Sequence, residues 1–555
     1  MRPFEVERGI QAFRDYASED LVRDVRRKVF RDLDYELQRR IRPPVPNGAV
    51  ATPLQLAEYV HQCRRIVEAL ISEHVSGYAA ARWLYYCRRI PNIAFLSYQG
   101  GLDLYKVGVA EAMTGHISTS QIDEGPNYPL HQPVLQRVLR FSQEIVYLVN
   151  LHVALHQAAK GVPFKFGNSA LPVAQLDSST SEALSLFDWR VASFDQRPLA
   201  RLGTQACDKA SIDSVEKVFA SVPRIKETEW VRSPESPNDS RETPKILANY
   251  RIMLLDLEEL GRLITDYRIV APVWSTEAGA LLMVLRMAAE MFSEPRFFRP
   301  VLEMGYVPTA RATLLELFSN FFESAERAVR NTIPELPIPN SPERLLRELE
   351  GMRGSSWPIR TGPVVRCSGE AAELDLNCAT MRLDQAFEFP RVTGAQANAR
   401  AEHFERTVQS AVDSSPWFNS AARRMQGRTL RHAGKYITDV DAIGAIGGKL
   451  VLISCKSVLY AEYETADYRV MRNAADLVQK AVATWSQVCS FLRDNRIGEN
   501  YDFSSYSEII GVVCTPILVY TPLGIATISV AKGLYAAVSI SELDAWLHGQ
   551  SLERR

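Results

Sequence analysis

The chain has 555 residues, 46% of them hydrophobic and 23% charged, so it carries enough apolar material for several cores, and two or three domains are expected. A formal net charge of −1 excludes a protein that grips polyanions through bulk charge, and any nucleic-acid contact has to come from a local patch. The eight cysteines are scattered without a C-x-x-C pair, which argues against a disulfide framework or a zinc knuckle and suits a reducing cytoplasm.

In chain order, MRPFEVERGI mixes acids and bases where a signal peptide needs an apolar core, so a cytoplasmic protein is expected. Leu21, Val25, Val29 and Leu33 recur every fourth residue up to Leu37, predicting a helix capped by Ser18 and stopped by Pro43 and Pro44. His152 and His156 share a helix face but lack the glutamate of the HExxH zinc motif, so they read as structural. Arg224 to Pro244 is polar and rich in Ser and Pro, an exposed loop or linker. Ile246, Leu247, Tyr250, Met253, Leu254, Leu257 and Leu260 mark a further helix, and residues 280–292, ALLMVLRMAAEMF, are apolar nearly all round and belong at the centre of a bundle.

Four prolines between Ile333 and Pro342 predict an extended break, after which Ser341 caps a helix with proline in its first turn. Residues 1–230 are therefore expected to form an all-α N-terminal region and 245–350 a helical subdomain. PVVRCSG, AELDLNCAT and AFEFPR then read as short strands, making 360–395 a β-rich connecting segment. From 396 to 555 strand and helix patterns alternate, as in an α/β domain with a mixed sheet. The uncharged run Ile509 to Ala531 is long enough to span a bilayer, but Gly511, Pro516, Pro522 and Gly524 break it. Two or more buried strands with a turn at 521–524 are expected, and no membrane partner.

The stretch ITDVDAIGAIGGKLVLISCKS, residues 437–457, carries the chemistry. Gly447-Gly448 supplies the positive φ angles of a two-residue turn, so Tyr436 to Ile446 and Lys449 to Ser457 read as an antiparallel hairpin. Side chains alternate along a strand, so Asp439 and Asp441 share one face, and Leu452, Ser454 and Lys456 share another, with Cys455 turned into the core. Two acids so close repel unless a cation or proton joins them, and oxygen ligands of this kind suit Mg²⁺ or Mn²⁺. Lys456 is then aimed at a phosphate.

These residues resemble the PD-(D/E)XK, or restriction-endonuclease-like, nuclease superfamily over about residues 395 to 550. Phe404-Glu405-Arg406-Thr407-Val408 is similar to the helix carrying the family's glutamate, Asp439-Val440-Asp441-Ala442-Ile443 to its aspartate strand, and Ser454-Cys455-Lys456 stands where acid-x-Lys is expected. A helix from Tyr468 to Leu492, a strand from Glu508 to Thr515, and Val538-Ser539-Ile540 before a helix capped by Ser541 and Asp544 continue in the family's order. The resemblance implies Asp441 as principal metal ligand, Asp439 and Glu405 as supporting acids and ligands, and Lys456 as base or electrostatic stabiliser. Ser454 replaces the acid that usually binds metal, so Asp439 or Glu405 would supply the missing carboxylate.

No acid falls between Asp413 and Asp439, whereas Arg423, Arg424, Arg428, Arg431, His432 and Lys435 do, just after Trp417 and Phe418; such a patch can follow a phosphate backbone. The absence of a GxxxxGK[ST] loop and a GxSxG elbow disfavours a nucleotide motor and a serine hydrolase. The expected function is a metal-dependent nuclease acting on DNA ahead of RNA, with defence against foreign DNA as an analogy and the helical region as a sensor, partner-binding or self-associating part. The competing reading is a catalytically degenerate module that binds nucleic acid or scaffolds a complex.

Overall fold

A computed structural model of the chain describes residues 19–77, 80–89, 115–117, 132–194, 216–223, 230–231, 246–247, 250–258, 260–261, 276–291, 300–302, 304–352, 362–386, 395–458 and 468–552. The expected cap Ser18 and most of the 224–244 loop lie outside these residues. Among the described residues no helix is long and apolar enough to cross a membrane.

The N-terminal part runs α1 (Glu19–Arg40), β1 (Val50–Ala51), α2 (Pro53–Val75), α3 (Ala80–Arg89), α4 (Gln132–Ala159), β2 (Phe164–Lys165), β3 (Val173–Ala174) and α5 (Ser178–Phe194). Of the fourfold series in α1, Val29, Leu33 and Leu37 are buried while Leu21 and Val25 are half-buried, and Val22 beside them is buried instead. Thr52 starts α2 with a reciprocal capping box to Gln55, and Pro53 fills the first helical position. The three short strands pair antiparallel in the order β1-β2-β3, so this region is helical but not all-α. His152 and His156 are buried with ring centroids 4.2 Å apart.

The middle part holds β4 (Lys217–Pro223), β5 (Trp230–Val231), β6 (Ile246–Leu247), β7 (Tyr250–Asp256), α6 (Thr276–Met291), β8 (Tyr306–Ala310), α7 (Arg311–Thr332), α8 (Pro342–Gly351), β9 (Val365–Ser368), β10 (Ala371–Asp375) and α9 (Leu376–Ala386). The expected helix at 246–260 is corrected: β7 pairs antiparallel with β4 along its length, Lys217 opposite Asp256 and Pro223 opposite Tyr250. The helical spacing of its apolar residues is overridden by the partner strand, against which Tyr250–Asp256 pairs residue by residue. Helix α6 is central as expected, buried from Ala278 to Ala288. Ser341 caps α8 with Pro342 in the first turn, also as expected.

Of the segment 360–395 the structure describes residues 362–386 and 395, which do not form a separate β-rich connector, and the expected AFEFPR strand lies beyond Ala386 outside the described residues. Strands β8-β10-β9 form one antiparallel sheet whose apolar face shares a core with α6, α7 and α8, while AELDLNCAT turns helical at Leu376. The sheet's other face is charged and still buried. Asp375, fully enclosed, accepts hydrogen bonds from Arg88 Nη1 at 2.8 Å and Arg366 Nη1 at 2.9 Å, and Glu373 lies beside them at 8% exposure.

The C-terminal part comprises α10 (Ala395–Asp413), α11 (Ser420–Arg423), β11 (Thr429–His432), β12 (Lys435–Asp439), β13 (Ala442–Ile446), β14 (Lys449–Cys455), α12 (Tyr468–Asp494), β15 (Glu508–Thr515), α13 (Leu523–Ala526), β16 (Ser529–Ala531), β17 (Leu534–Tyr535), β18 (Ala537–Ser539) and α14 (Ile540–Leu547). The main sheet has the order β13-β14-β15-β18, antiparallel in its first pair and parallel in the next two. It is buried on both faces: Leu450, Leu452, Ile509 and Val513 join the core containing α12, while Val451, Ile453, Cys455, Ile510 and Val512 join that of α10 and α14. Gly511 is required here, because a Cβ at that position would meet Cys489 Sγ of α12 at 2.1 Å.

Two local expectations change. The run 509–531 gives β15 and β16, but its turn at 521–524 opens the short helix α13. Helix α14 is capped two residues earlier than expected, by Ser539 with Glu542 rather than Ser541 with Asp544. That Glu542 also receives Arg190 of α5 at 2.7 and 2.8 Å, which ties the N-terminal helices to the α/β sheet.

Candidate active site

The turn between β13 and β14 forms as the two glycines dictate, with φ of +54° at Gly447 and +78° at Gly448. The ladder runs from Ile446 opposite Lys449 to Ala442 opposite Ile453, so Asp441 enters the strand level with Ser454. Cys455 N–H donates to Asp441 Oδ2 at 2.7 Å, and the Ser454 hydroxyl hydrogen-bonds the same carboxylate. One residue on, Lys456 N–H donates to Cys514 O at 2.8 Å, extending the pairing with β15 past the end of β14. Cys455 itself is buried, as its strand parity predicts.

Glu405 is brought in by its helix. Strand β13 is an edge of the sheet, and Gln409 of α10 closes that edge: Nε2 donates to Ile443 O at 3.0 Å while Ile443 N–H donates to Oε1 at 2.9 Å. Phe404, Val408 and Val412 seat the same helix in the core. Glu405 stands one turn before Gln409, on the same side of α10.

Three groups feel one another. Burial pushes the Asp441 carboxyl up, while the Cys455 N–H and the Lys456 charge pull it back down. Burial also raises Glu405, the negative charge of Asp441 raises it further, and Lys456 opposes both. Two acids held in an environment that disfavours their charge, with one amine near, make a site that favours a bound proton or cation.

Asp439 is not where the hairpin reading puts it. It ends β12, which pairs only with β11 in a separate two-stranded ribbon, and Val440 breaks the strand before Asp441. Its carboxylate is exposed and accepts from Thr429 Oγ1 at 2.5 Å and Tyr436 Oη at 3.3 Å. Its charge still reaches Asp441 and Glu405. Among the described residues no three His, Cys, Asp or Glu side chains gather closely enough to hold a metal ion, so Asp439, Asp441 and Glu405 do not form one close set.

The basic segment also divides. Arg424, Arg428, Arg431 and Lys435 are exposed, whereas Arg423 is bound to Asp413 at 2.8 Å, His432 packs edge-on against Phe491 at 5.4 Å, and Trp417 is buried against Trp546. Phe418 is exposed.

Sequence reasoning missed Gln409, Arg400 and Tyr436. Arg400 Nη2 donates to Ser457 O at 3.1 Å, fixing the chain just beyond Lys456. A glutamine four residues after Glu405 within an apolar helix stripe is the one signal that was open to reading. No protein family, curated protein or solved structure matches this chain.

Proposed function

We propose that residues 395–552 are a metal-dependent nuclease domain similar to the PD-(D/E)XK enzymes, hydrolysing phosphodiester bonds in DNA ahead of RNA. The observation that carries this reading is the Asp441 carboxylate held at 2.7 Å by Cys455 N–H, one residue before Lys456 at the end of β14, with Glu405 electrostatically coupled to both charges. The strand order, with an antiparallel pair followed by a parallel strand reached through α12, agrees with it.

Asp441 and Glu405 would hold Mg²⁺ or Mn²⁺. Mg²⁺ commonly takes one or two carboxylates and completes its shell with water and substrate phosphate, so this donor pair fits it. When bound, the ion supplies Lewis-acid polarisation of the phosphate and a more acidic water. The chain's own groups do the rest. Cys455 N–H and the Ser454 hydroxyl fix the Asp441 carboxylate, and Gln409 fixes the helix that carries Glu405. Lys456 offsets charge on the phosphate and orients or deprotonates the attacking water. Arg424, Arg428, Arg431 and Lys435 follow the backbone without reading bases.

A second reading, a module that binds nucleic acid or scaffolds a complex without cutting, is favoured by Ser454 in the place of an acid and by the failure of Asp439, Asp441 and Glu405 to form one close set. Supercoiled and single-stranded DNA incubated with Mg²⁺ or Mn²⁺ separates the two. Cleavage that falls about 10²–10⁴-fold in Asp441→Asn and Lys456→Met supports the nuclease. Binding by every protein with cleavage by none moves the assignment to the second reading.

A further inference from the structure

The ribbon β11–β12 carries a register shift: Leu430 faces Thr438, Arg431 faces Tyr436, and Ile437 is the extra residue between. The bulge swings Tyr436 round to the face that holds Asp439, Thr429 and Arg431. Both Tyr436 and Thr429 hydrogen-bond the Asp439 carboxylate there. The opposite face is anchored by Leu430, fully buried, and Ile437, which packs on the same core.

The ribbon is braced as well as anchored. Asn500 bonds Arg431 N at 3.0 Å and Thr429 O at 2.6 Å, Glu499 N–H donates to Arg431 O at 3.0 Å, and the Glu499 carboxylate accepts from Gly434 N at the tip. Tyr436 is nonetheless 61% exposed. A largely exposed ring tethered by its hydroxyl to a braced ribbon lacks the apolar cover that aromatic side chains usually find. Arg431 stands directly across the ribbon from it, and the exposed Arg424, Arg428, Arg431 and Lys435 of the same segment form no ion pair with a described residue. Asp439, on that face, ends β12 two residues before Asp441.

We propose that Tyr436 is a stacking platform for an unpaired base, with Arg431 beside it on the backbone, so that the candidate site takes single-stranded DNA. The inference rests on the nuclease reading for the position of the scissile strand, but the platform itself binds without metal. Base stacking on an aromatic ring tolerates any sequence, and the phosphate contacts make binding salt-sensitive. A paired base keeps both faces covered by its neighbours and cannot use the ring.

The test is anisotropy of the full-length protein with a labelled mixed-sequence single strand and with a hairpin duplex, in EDTA, for wild type, Tyr436→Leu and Tyr436→Phe. Tyr436→Leu should weaken single-strand binding about tenfold or more and duplex binding less than about twofold, while Tyr436→Phe, which keeps the ring, should stay within about threefold of wild type. Thermal melts confirm that an exposed substitution leaves the fold intact. Unchanged single-strand affinity in Tyr436→Leu, or equal losses on both substrates, overturns the proposal, as does wild type binding neither. Loss of single-strand binding in Tyr436→Leu without cleavage by wild type in Mg²⁺ would leave the platform standing and remove the nuclease. Cleavage indifferent to Tyr436→Leu would do the reverse.

Discussion

Gln409 closes both outward backbone groups of Ile443, donating to its carbonyl at 3.0 Å and accepting from its N–H at 2.9 Å. An edge strand normally leaves such groups for water or for another chain. Here one side chain, 1% exposed, closes the edge at Ile443, Trp417 O takes the next outward N–H, that of Ala445, at 2.8 Å, and the glutamine ties the helix that carries Glu405 to β13.

Gln409→Leu keeps the volume and removes both partners. Two buried backbone groups left unpaired should cost about 2–5 kcal/mol, read as a lower urea midpoint with unchanged slope. If the nuclease reading holds, cleavage should fall even where the variant is fully folded, because Glu405 loses its reference point.

Asp441 and Glu405 give a pH signature independent of turnover. Both titrate higher in the folded chain than in the unfolded one. The folded state therefore holds more protons just above the ordinary carboxylate range, and stability drops as pH rises through that window. Asp441→Asn keeps an acceptor for Cys455 N–H and should melt higher than wild type at pH 8, with the difference gone in acid. Mg²⁺ should raise the wild-type melting temperature at pH 8, leave Asp441→Asn unmoved, and do little to either in acid. A wild-type melt blind to Mg²⁺ at pH 8 would count against the carboxylate pair as its site.

Glu373, in the β8-β10-β9 sheet, behaves alike. Burial drives its carboxyl from 4.5 to about 7, with Arg366 opposing and Asp375 adding to the rise. Its contribution to stability is intact below about 4.5 and lost as pH climbs through about 7. Glu373→Gln should match wild type at acid pH and gain up to about 3 kcal/mol at pH 8. Denaturant titrations at the two pH values check the difference.

Much of the C-terminal domain was legible because its signals were local. Gly447-Gly448 fixed a turn, β-branched residues filled two strands, and the apolar stripe of α12 spans 27 residues. What failed was non-local. Nothing around Val440 says that the chain leaves one ribbon and enters another sheet, since that depends on Arg428 O accepting Val440 N–H at 3.1 Å. Tyr250 to Asp256 became a strand only because Lys217 to Pro223 lies beside it. Asp441 and Lys456 were found as a pair because a two-residue turn makes their neighbourhood a matter of counting, whereas the helix bearing Glu405 is docked by a glutamine that pattern reading passes over.

The Arg190–Glu542 pair offers a last prediction. Its bidentate bond is fully enclosed, Arg190 Nη2 also donates to Ala537 O at 2.7 Å, and its guanidinium lies over the Tyr535 ring at 4.6 Å. Nearby, Lys160 sits over Phe187 and Tyr520, so one contact zone joins α4 and α5 to the segments around α13 and β18. Removing one partner strands the other charge in a dry site, and Arg190→Ala should cost about 3–5 kcal/mol. Glu542→Gln keeps a cap for Ser539 but loses the ionic bond, and should cost less. The loss is placed at the junction, so limited proteolysis of Arg190→Ala should release the N-terminal helices from a C-terminal fragment before either part melts. Cooperative unfolding of the whole chain at one lowered midpoint would instead show that the regions share a single folding unit, as their common core also allows.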